Sequence, residues 1–267
     1  MKGKALVIPE DIPSEQTPDL LRHWYLGSLA RRYLSVRRFE TVTSLVGTGD
    51  GKRALDVGCG WGYNLHLLHE AGFDPYGIDI VQNDFFAARR IGEANGYPVT
   101  LVGADISRLP FADGTFAAVT AVETFEHIFE PDRPRAAREI ARVLAPGGTF
   151  VLSTPNYGSL VERGKRMIVR LPVLKSLFPT MCYPVGDVLR NDYHPYSYHK
   201  PLHPQELTAL LTAAGLRVFS MDAILFITKN VSDRFFQVTR ALESVMESLP
   251  PIRALASTLI VSAGKDR

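Results

Sequence analysis

The chain has 267 residues and a mass of 29.6 kDa, enough for one large domain or one domain carrying an insertion. Apolar residues make up 46% of it and charged residues 22%, which excludes a disordered, collagen-like or coiled-coil description. Thirty basic residues against 28 acidic ones leave +2, too balanced to point to a nucleic-acid partner, and two cysteines, Cys59 and Cys182, exclude a disulfide framework or a CxxC site.

A reducing compartment fits this cysteine usage. The first apolar run breaks at Pro9 and Glu10, before a signal-peptide core could form, and no apolar run reaches the roughly 18 residues of a membrane span. The expected location is cytoplasmic. Residues 1–18 are Pro-rich and acidic and are expected to be a mobile lead-in to one domain over 19–267. From Leu20 to Val46 apolar residues recur at helical spacing (Leu21, Trp24, Tyr25, Leu29, Tyr33, Val36, Phe39), which predicts one or two amphipathic helices.

Beyond the turn at 47–51, short apolar runs alternate with helical stretches. Residues 53–57, 75–80, 98–103, 116–122 and 149–153 read as strands, and only 105–113 lacks a helix between its neighbours. Such alternation implies right-handed βαβ crossovers and a mostly parallel sheet with helices on both faces, an α/β class. Ala145 to Gly148 read as a helix stop followed by a tight turn. Residues 156–203 leave the alternation and read as an inserted lid. A helix follows over 204–215, then two strands within 216–228 and 256–263. Between these strands an outer helix over 232–250 places Phe235, Phe236, Val238, Leu242, Val245, Met246 and Leu249 on one face, expected to pack as core beside the lid, with a dimer contact second. Pro250 and Pro251 end that helix.

The segment ALDVGCGWGYNLHLL puts Asp56, Gly58, Gly60 and Gly62 at the carboxyl end of the first strand, just before a helix. Glycines let a backbone turn sharply and approach a ligand closely, and a helix start offers N–H groups to an acceptor. Asp79 ends the second strand 19 positions after Gly60, where an acidic residue takes two ribose hydroxyls in nucleoside-binding α/β folds. Asp105, after the third strand, can hold an adenine amine while Ile106 covers the ring. Each feature alone is as often a plain turn or helix cap; three in register across three strands make a nucleoside site.

These residues, with LPFADGTFAAVTAVETFEHI, REIARVLAPGGTFVLSTPN and HPQELTALLTAAGLRV, resemble the class I S-adenosylmethionine-dependent methyltransferases over about 53–218. The resemblance implies a Rossmann-like sheet of seven strands, the last antiparallel, and S-adenosylmethionine as cofactor. It assigns the glycine segment and Asp56 to the methionine part, Asp79 to the ribose, and Asp105 with Ile106 to the adenine; Cys59, Ile80 and Glu123 are expected cofactor contacts beside them. A dinucleotide-dependent oxidoreductase would explain the loop and Asp79 but leaves the Asp105 pair and the last two strands without a role.

Glu123, Glu126 and His127 follow the fourth strand, where the transferred methyl group should lie. Two carboxylates and an imidazole within five positions can converge on one point, a set suited to Mg, Mn or Zn. Similar E-x-x-E-H motifs hold a divalent ion in ubiquinone-pathway O-methyltransferases and small-RNA 2′-O-methyltransferases, the latter adding a ligand from a His-Lys that His199-Lys200 resembles. Many metal-free methyltransferases also carry a Glu-His pair here. Asp192, His194, His199 and His203 in RNDYHPYSYHKPLHP are further candidates; the expected metal set is Glu123, Glu126, His127 and His199. An ion there would acidify and orient an acceptor hydroxyl. Without one, His127 or His199 is the general base, with Glu126 beside them.

Residues 163–178 interleave Arg163, Lys165, Arg166, Arg170 and Lys175 with large apolar side chains, a substrate cap first and a peripheral membrane contact second. The expected activity is O-methylation of a small hydrophobic or aromatic metabolite. The alternatives are nucleic-acid 2′-O-methylation, which the near-neutral charge disfavours, and a non-catalytic cofactor-binding module. Nothing in the sequence selects monomer or dimer.

Overall fold

Apolar runs such as Ala54 to Val57 and Ala118 to Val122 have almost no polar face, so they are stable only in the middle of a sheet covered on both sides. The computed structural model describes residues 6–18, 21–171, 173, 198–227, 229 and 231–266. Its elements are α1 (Leu29–Val46), β1 (Arg53–Val57), α2 (Tyr63–Glu70), β2 (Asp74–Asp79), α3 (Phe85–Ala94), β3 (Thr100–Gly103), β4 (Phe116–Val122), α4 (Arg133–Val143), β5 (Leu144–Pro155), α5 (Leu160–Arg170), α6 (Pro204–Ala213), β6 (Arg217–Ile224), α7 (Asp233–Ser248), α8 (Pro250–Arg253) and β7 (Thr258–Gly264).

The strands form one seven-stranded sheet in the order β3-β2-β1-β4-β5-β7-β6. β7 runs antiparallel to both β5 and β6, and the other pairings are parallel. The α/β class and the antiparallel last strand are as the sequence implied. Leu55, Val119, Phe150 and Val261 meet Phe125, Ile140, Leu207 and Leu211 in the largest core cluster. Each such fully buried side chain contributes about 2 kcal/mol. On the other face, α1 lays Val42 against Val122, Val151 and Ile260.

The one or two helices expected before β1 are a short π-helical turn at Leu21–Tyr25 and α1. Three local outcomes differ from the sequence reading. Within the lead-in over 1–18 that was expected to be mobile, residues 6–18 are tied down: Val7 exchanges two main-chain hydrogen bonds with the Asn95 side chain (2.9 and 2.7 Å), and Ile12 is buried beside Trp61 and Ile91. Ala145 to Gly148 lie inside β5 as an irregularity rather than before it, since Leu144 pairs with Phe116 and Thr149 with Ala118. The apolar stripe of α7 does not join the core: Phe235, Val238, Leu242 and Val245 are each about 60% exposed, and Phe236 alone of the aromatic pair is buried. The inner face of α7 is polar, because Glu243 and Glu247 reach α1 and the chain leaving β6.

Pro250 and Pro251 do end α7, and then open the one-turn α8. Among the described residues no helix is long and apolar enough to cross a membrane.

Candidate active site

The strand order reverses between β1 and β4, and a ligand crevice belongs outside the carboxyl ends of those two strands. There the chain after β1 turns back on itself. Gly58 has φ +73°, its N–H donates to Ile78 O (2.8 Å), and a Cβ would fall 2.5 Å from Thr124 Oγ1. Only glycine satisfies both constraints. Gly60, at φ +46°, donates its N–H to Asp79 Oδ2 (3.0 Å), while a Cβ there would meet nothing closer than the Asp84 carboxylate at 3.7 Å. The loop is therefore pinned from below and roomy above.

Asp79 Oδ1 accepts a second bond from Val81 N–H (2.9 Å), so both oxygens are fixed and each keeps a lone pair for a hydroxyl. Burial raises its pKa, and the Val81 and Gly60 N–H groups act against that rise. Ile80 beside it is 53% exposed. Asp105 is exposed, with Oδ1 accepting from Ser107 N–H (2.7 Å), and Ile106 packs partly buried against the main core. An exposed aliphatic surface between two oriented acids suits an adenosine, and the roomy turn at Gly60 suits its methionine arm. The residues fit S-adenosylmethionine.

Two expected cofactor contacts are corrected. Cys59 turns its side chain into the core with Leu65 and Phe85, under Gly77, and burial pushes its thiol up well above the ordinary range. Asp56 lies 2% exposed beneath the loop, where Oδ1 accepts from Asn64 Nδ2 (2.7 Å) and Thr120 Oγ1 (2.8 Å). It ties the first turn of α2 to β4. Asn64 and Thr120 went unnoticed in the sequence, although a polar threonine inside the apolar run AAVTAV was a usable signal.

Burial raises the Asp56 carboxyl to about 7, against bonds from Asn64 and Thr120 that favour the charged form. Its folded pKa lies above the ordinary value of 3.8, so the folded state binds the extra proton between those limits. This group's stabilising share is then full below about pH 4 and is lost as pH rises to 7, an effect of up to about 4 kcal/mol. Thermal melts from pH 5 to 8 should show Asp56→Asn gaining Tm relative to wild type as pH rises. Parallel curves for the two proteins would contradict this assignment.

After β4, Glu123 adopts φ +52°, uncommon for a residue with a side chain and frequent at functional sites. Its Oε2 pairs with Arg38 Nη1 of α1 (2.5 Å), and its Oε1 accepts from Ser153 Oγ (3.0 Å). A one-turn 3₁₀ helix at Phe125–His127 then carries the next two candidates. Glu126 is 1% exposed, its Oε2 accepting from Thr154 Oγ1 (3.0 Å); burial, then the charge of Glu123, hold its carboxyl well above the usual range. His127 Nδ1 lies 2.7 Å from Tyr198 O. A carbonyl only accepts, so the hydrogen sits on Nδ1 and the lone pair on Nε2.

His199 completes the group, its ring centroid 5.3 Å from that of His127. Burial, with His127 and Lys165 nearby, lowers its pKa to about 3, so it is neutral at physiological pH. Glu126, His127 and His199 each place one ligand atom within 4.8 Å of the others. Glu123 is not part of this trio, because Arg38 and Ser153 engage its carboxylate. His203 is excluded as well: it is the N-cap residue of α6, with its ring against Tyr157 (4.7 Å). Asp192, His194 and Lys175 lie outside the described residues. Three donors of this kind fit a divalent ion with open positions, and a cation there would oppose the upward shift that burial gives Glu126.

The region from β1 to β5, residues 55–152, matches the family described as a methyltransferase domain. The ubiquinone biosynthesis O-methyltransferase of Bordetella avium is 29% identical over 185 residues, which cover 69% of this chain and 70% of that protein. The demethylmenaquinone methyltransferase of Thermus thermophilus is 36% identical over 174 residues, 62% of this chain and 75% of that protein. Among solved structures, a SAM-dependent methyltransferase from Thermotoga maritima shares the fold with a TM-score of 0.62 at 18% identity, over 94% of this chain and 98% of its own. Similarity of this extent, on a sheet of this order with an adenosine-fitting turn at its switch point, makes the chain a member of the class I S-adenosylmethionine-dependent methyltransferase family.

Proposed function

We propose that this methyltransferase acts on a hydroxyl oxygen of a small hydrophobic or aromatic acceptor, with His127 taking the hydroxyl proton. The observation that carries this reading is the 2.7 Å contact of His127 Nδ1 with Tyr198 O, which leaves the basic lone pair on Nε2 at the carboxyl end of β4. Bound S-adenosylmethionine supplies an electrophilic sulfonium methyl group, held by the glycine turn, Asp79 and the Asp105–Ile106 pair. His127 Nε2 accepts the proton that the acceptor oxygen gives up. Glu126 and His199 cluster with this imidazole, and Arg38 fixes Glu123 beside Glu126.

The class of acceptor is supported by two observations. Relatives that match most of their own length are named for ubiquinone and menaquinone pathways. Helix α5 starts just beyond β5, and the charge of its Lys165 acts on His199, which is consistent with a cap at this end of the sheet. Its outer face exposes Leu160, Met167 and Leu171 beside Arg163 and Arg170, which also suits contact with an anionic membrane surface.

A second reading places a divalent ion on Glu126, His127 and His199, favoured by their 4.8 Å clustering. His127 is then a ligand rather than a base. One experiment tests both: methyl transfer to a panel of phenols, catechols and their long-chain analogues, with and without EDTA, and metal content measured on the purified protein. Turnover that favours the long-chain hydroxylated acceptors and survives EDTA supports the base. Turnover lost with EDTA and restored by Mg, Mn or Zn supports the ion. Methylation only of carbon or nitrogen acceptors, or equal turnover of a small polar acceptor and its long-chain analogue, would overturn the proposed acceptor.

A further inference from the structure

Helix α7 is built inside out. Its inward side chains include the buried Glu243, which accepts from Tyr33 Oη (2.6 Å), Arg37 Nη1 (3.0 Å) and the main-chain N–H groups of Phe226 (2.6 Å) and Ile227 (3.0 Å). Glu247 pairs with Arg37 and accepts from Leu225 N–H (2.8 Å). The opposite face carries Phe235, Val238, Leu242, Val245 and Leu249, between 45% and 61% exposed.

These five stand at intervals of three, four, three and four residues. That spacing makes a narrow seam of the kind by which one helix packs on another, narrower than the broad apolar arc of a helix lying in a bilayer. With Glu243 and Glu247 turned inward, the exposed charges of the helix are Asp233, Arg234 and Arg240, one net positive charge, short of the Lys/Arg-rich polar face that draws an interfacial helix to anionic lipid. The seam residues are also ordered symmetrically: a large side chain, Val, Leu242, Val, a large side chain. Reversing the helix keeps this order of side-chain sizes, with each Val shifted by one position.

We infer that α7 is the contact between two copies of this chain, paired antiparallel about a two-fold axis at Leu242. Phe235 of each copy then meets Leu249 of the other, Val238 meets Val245, and the two Leu242 side chains meet on the axis, the self-complementary arrangement a two-fold interface requires. Antiparallel pairing also brings Arg234, at the start of one helix, to the carboxyl end of the other, where the helix dipole favours a cation. Five half-exposed apolar side chains supply on the order of 500 Å² per copy, on the order of 1,000 Å² for the pair, the threshold that a biological interface has to reach.

The test is sedimentation equilibrium of the full chain over a wide concentration range, with Leu242→Glu beside it. The expected result is a wild-type particle of twice the 29.6 kDa chain mass, a Tm that rises with concentration, and a Leu242→Glu dissociation constant at least about 100-fold weaker. A second pair of variants, in a Cys182→Ser background, does not depend on tolerating a charge: a short bifunctional maleimide should link Leu242→Cys chains, whereas two Phe235→Cys positions, about 20 Å apart along antiparallel helices, should stay unlinked. A wild-type monomer at all concentrations overturns the proposal, whether residues 174–197 or a phosphatidylglycerol vesicle then prove to cover the seam. A dimer that survives Leu242→Glu, or unlinked Leu242→Cys, overturns it too.

Discussion

Replacing His127 by Ala should lower kcat by two to four powers of ten, the usual share of a general base, while S-adenosylmethionine binding stays within about threefold of wild type. The separation follows from geometry. The contacts that fit the cofactor lie after β1, β2 and β3, at Gly60, Asp79 and Asp105, whereas His127 hangs on the turn after β4 and touches the returning chain at Tyr198. Calorimetry measures the cofactor binding, and single-turnover methyl transfer measures the chemical rate. A His127→Ala enzyme with full turnover would remove the imidazole from the chemistry. One that fails to bind cofactor would show instead that His127 holds the loop.

Arg133→Met should cost about 3 kcal/mol, roughly 6 to 12 °C in Tm. Arg133 is 2% exposed, and its guanidinium donates to Ile128 O (3.2 Å) from Nε and to Lys200 O (2.7 Å) from Nη2, with Glu206 3.6 Å from Nη1. Methionine keeps much of the apolar stem but leaves the buried Ile128 carbonyl and the part-buried Lys200 carbonyl without that donor. The same fork holds the turn bearing Glu126 and His127 against the segment bearing Tyr198 and His199, assisted by Lys200 N–H to Glu126 O (2.9 Å). Arg133 is thus a positioning residue, and its loss should lower kcat with cofactor affinity unchanged. Arg133→Lys should recover little, since an ammonium cannot span both carbonyls as a planar fork does. Unchanged Tm in Arg133→Met would show that water replaces the guanidinium without cost.

Much of this was legible in the chain itself. Apolar runs of strand length alternating with helical spacing can be satisfied only by a covered parallel sheet, so the order of elements and the carboxyl-edge site followed from local pattern. Asp79 was legible because the end of a strand beside a glycine turn fixes where its carboxylate points. Asp56 was placed correctly in the sequence and wrongly in space, since nothing local says that Asn64 and Thr120 fold over it. Arg38, Arg133 and Tyr198 were invisible for a stronger reason: their partners are 85, 67 and 71 positions away, at Glu123, Lys200 and His127.

The sequence by itself determined the α/β sheet, the cofactor turn and the Glu126–His127 pair, because each depends on residue type at short spacing, whereas His199 entered only through the resemblance of His199-Lys200 to a known motif. Tertiary structure alone decided which side chains meet. It put Glu123 on Arg38 and left it out of the trio, and it turned the apolar stripe of α7 outward. An apolar period of three and four fixes that a helix has two faces; which face turns inward depends on what the neighbouring elements offer, and here Arg37 and the amides of 225–227 offered partners to carboxylates.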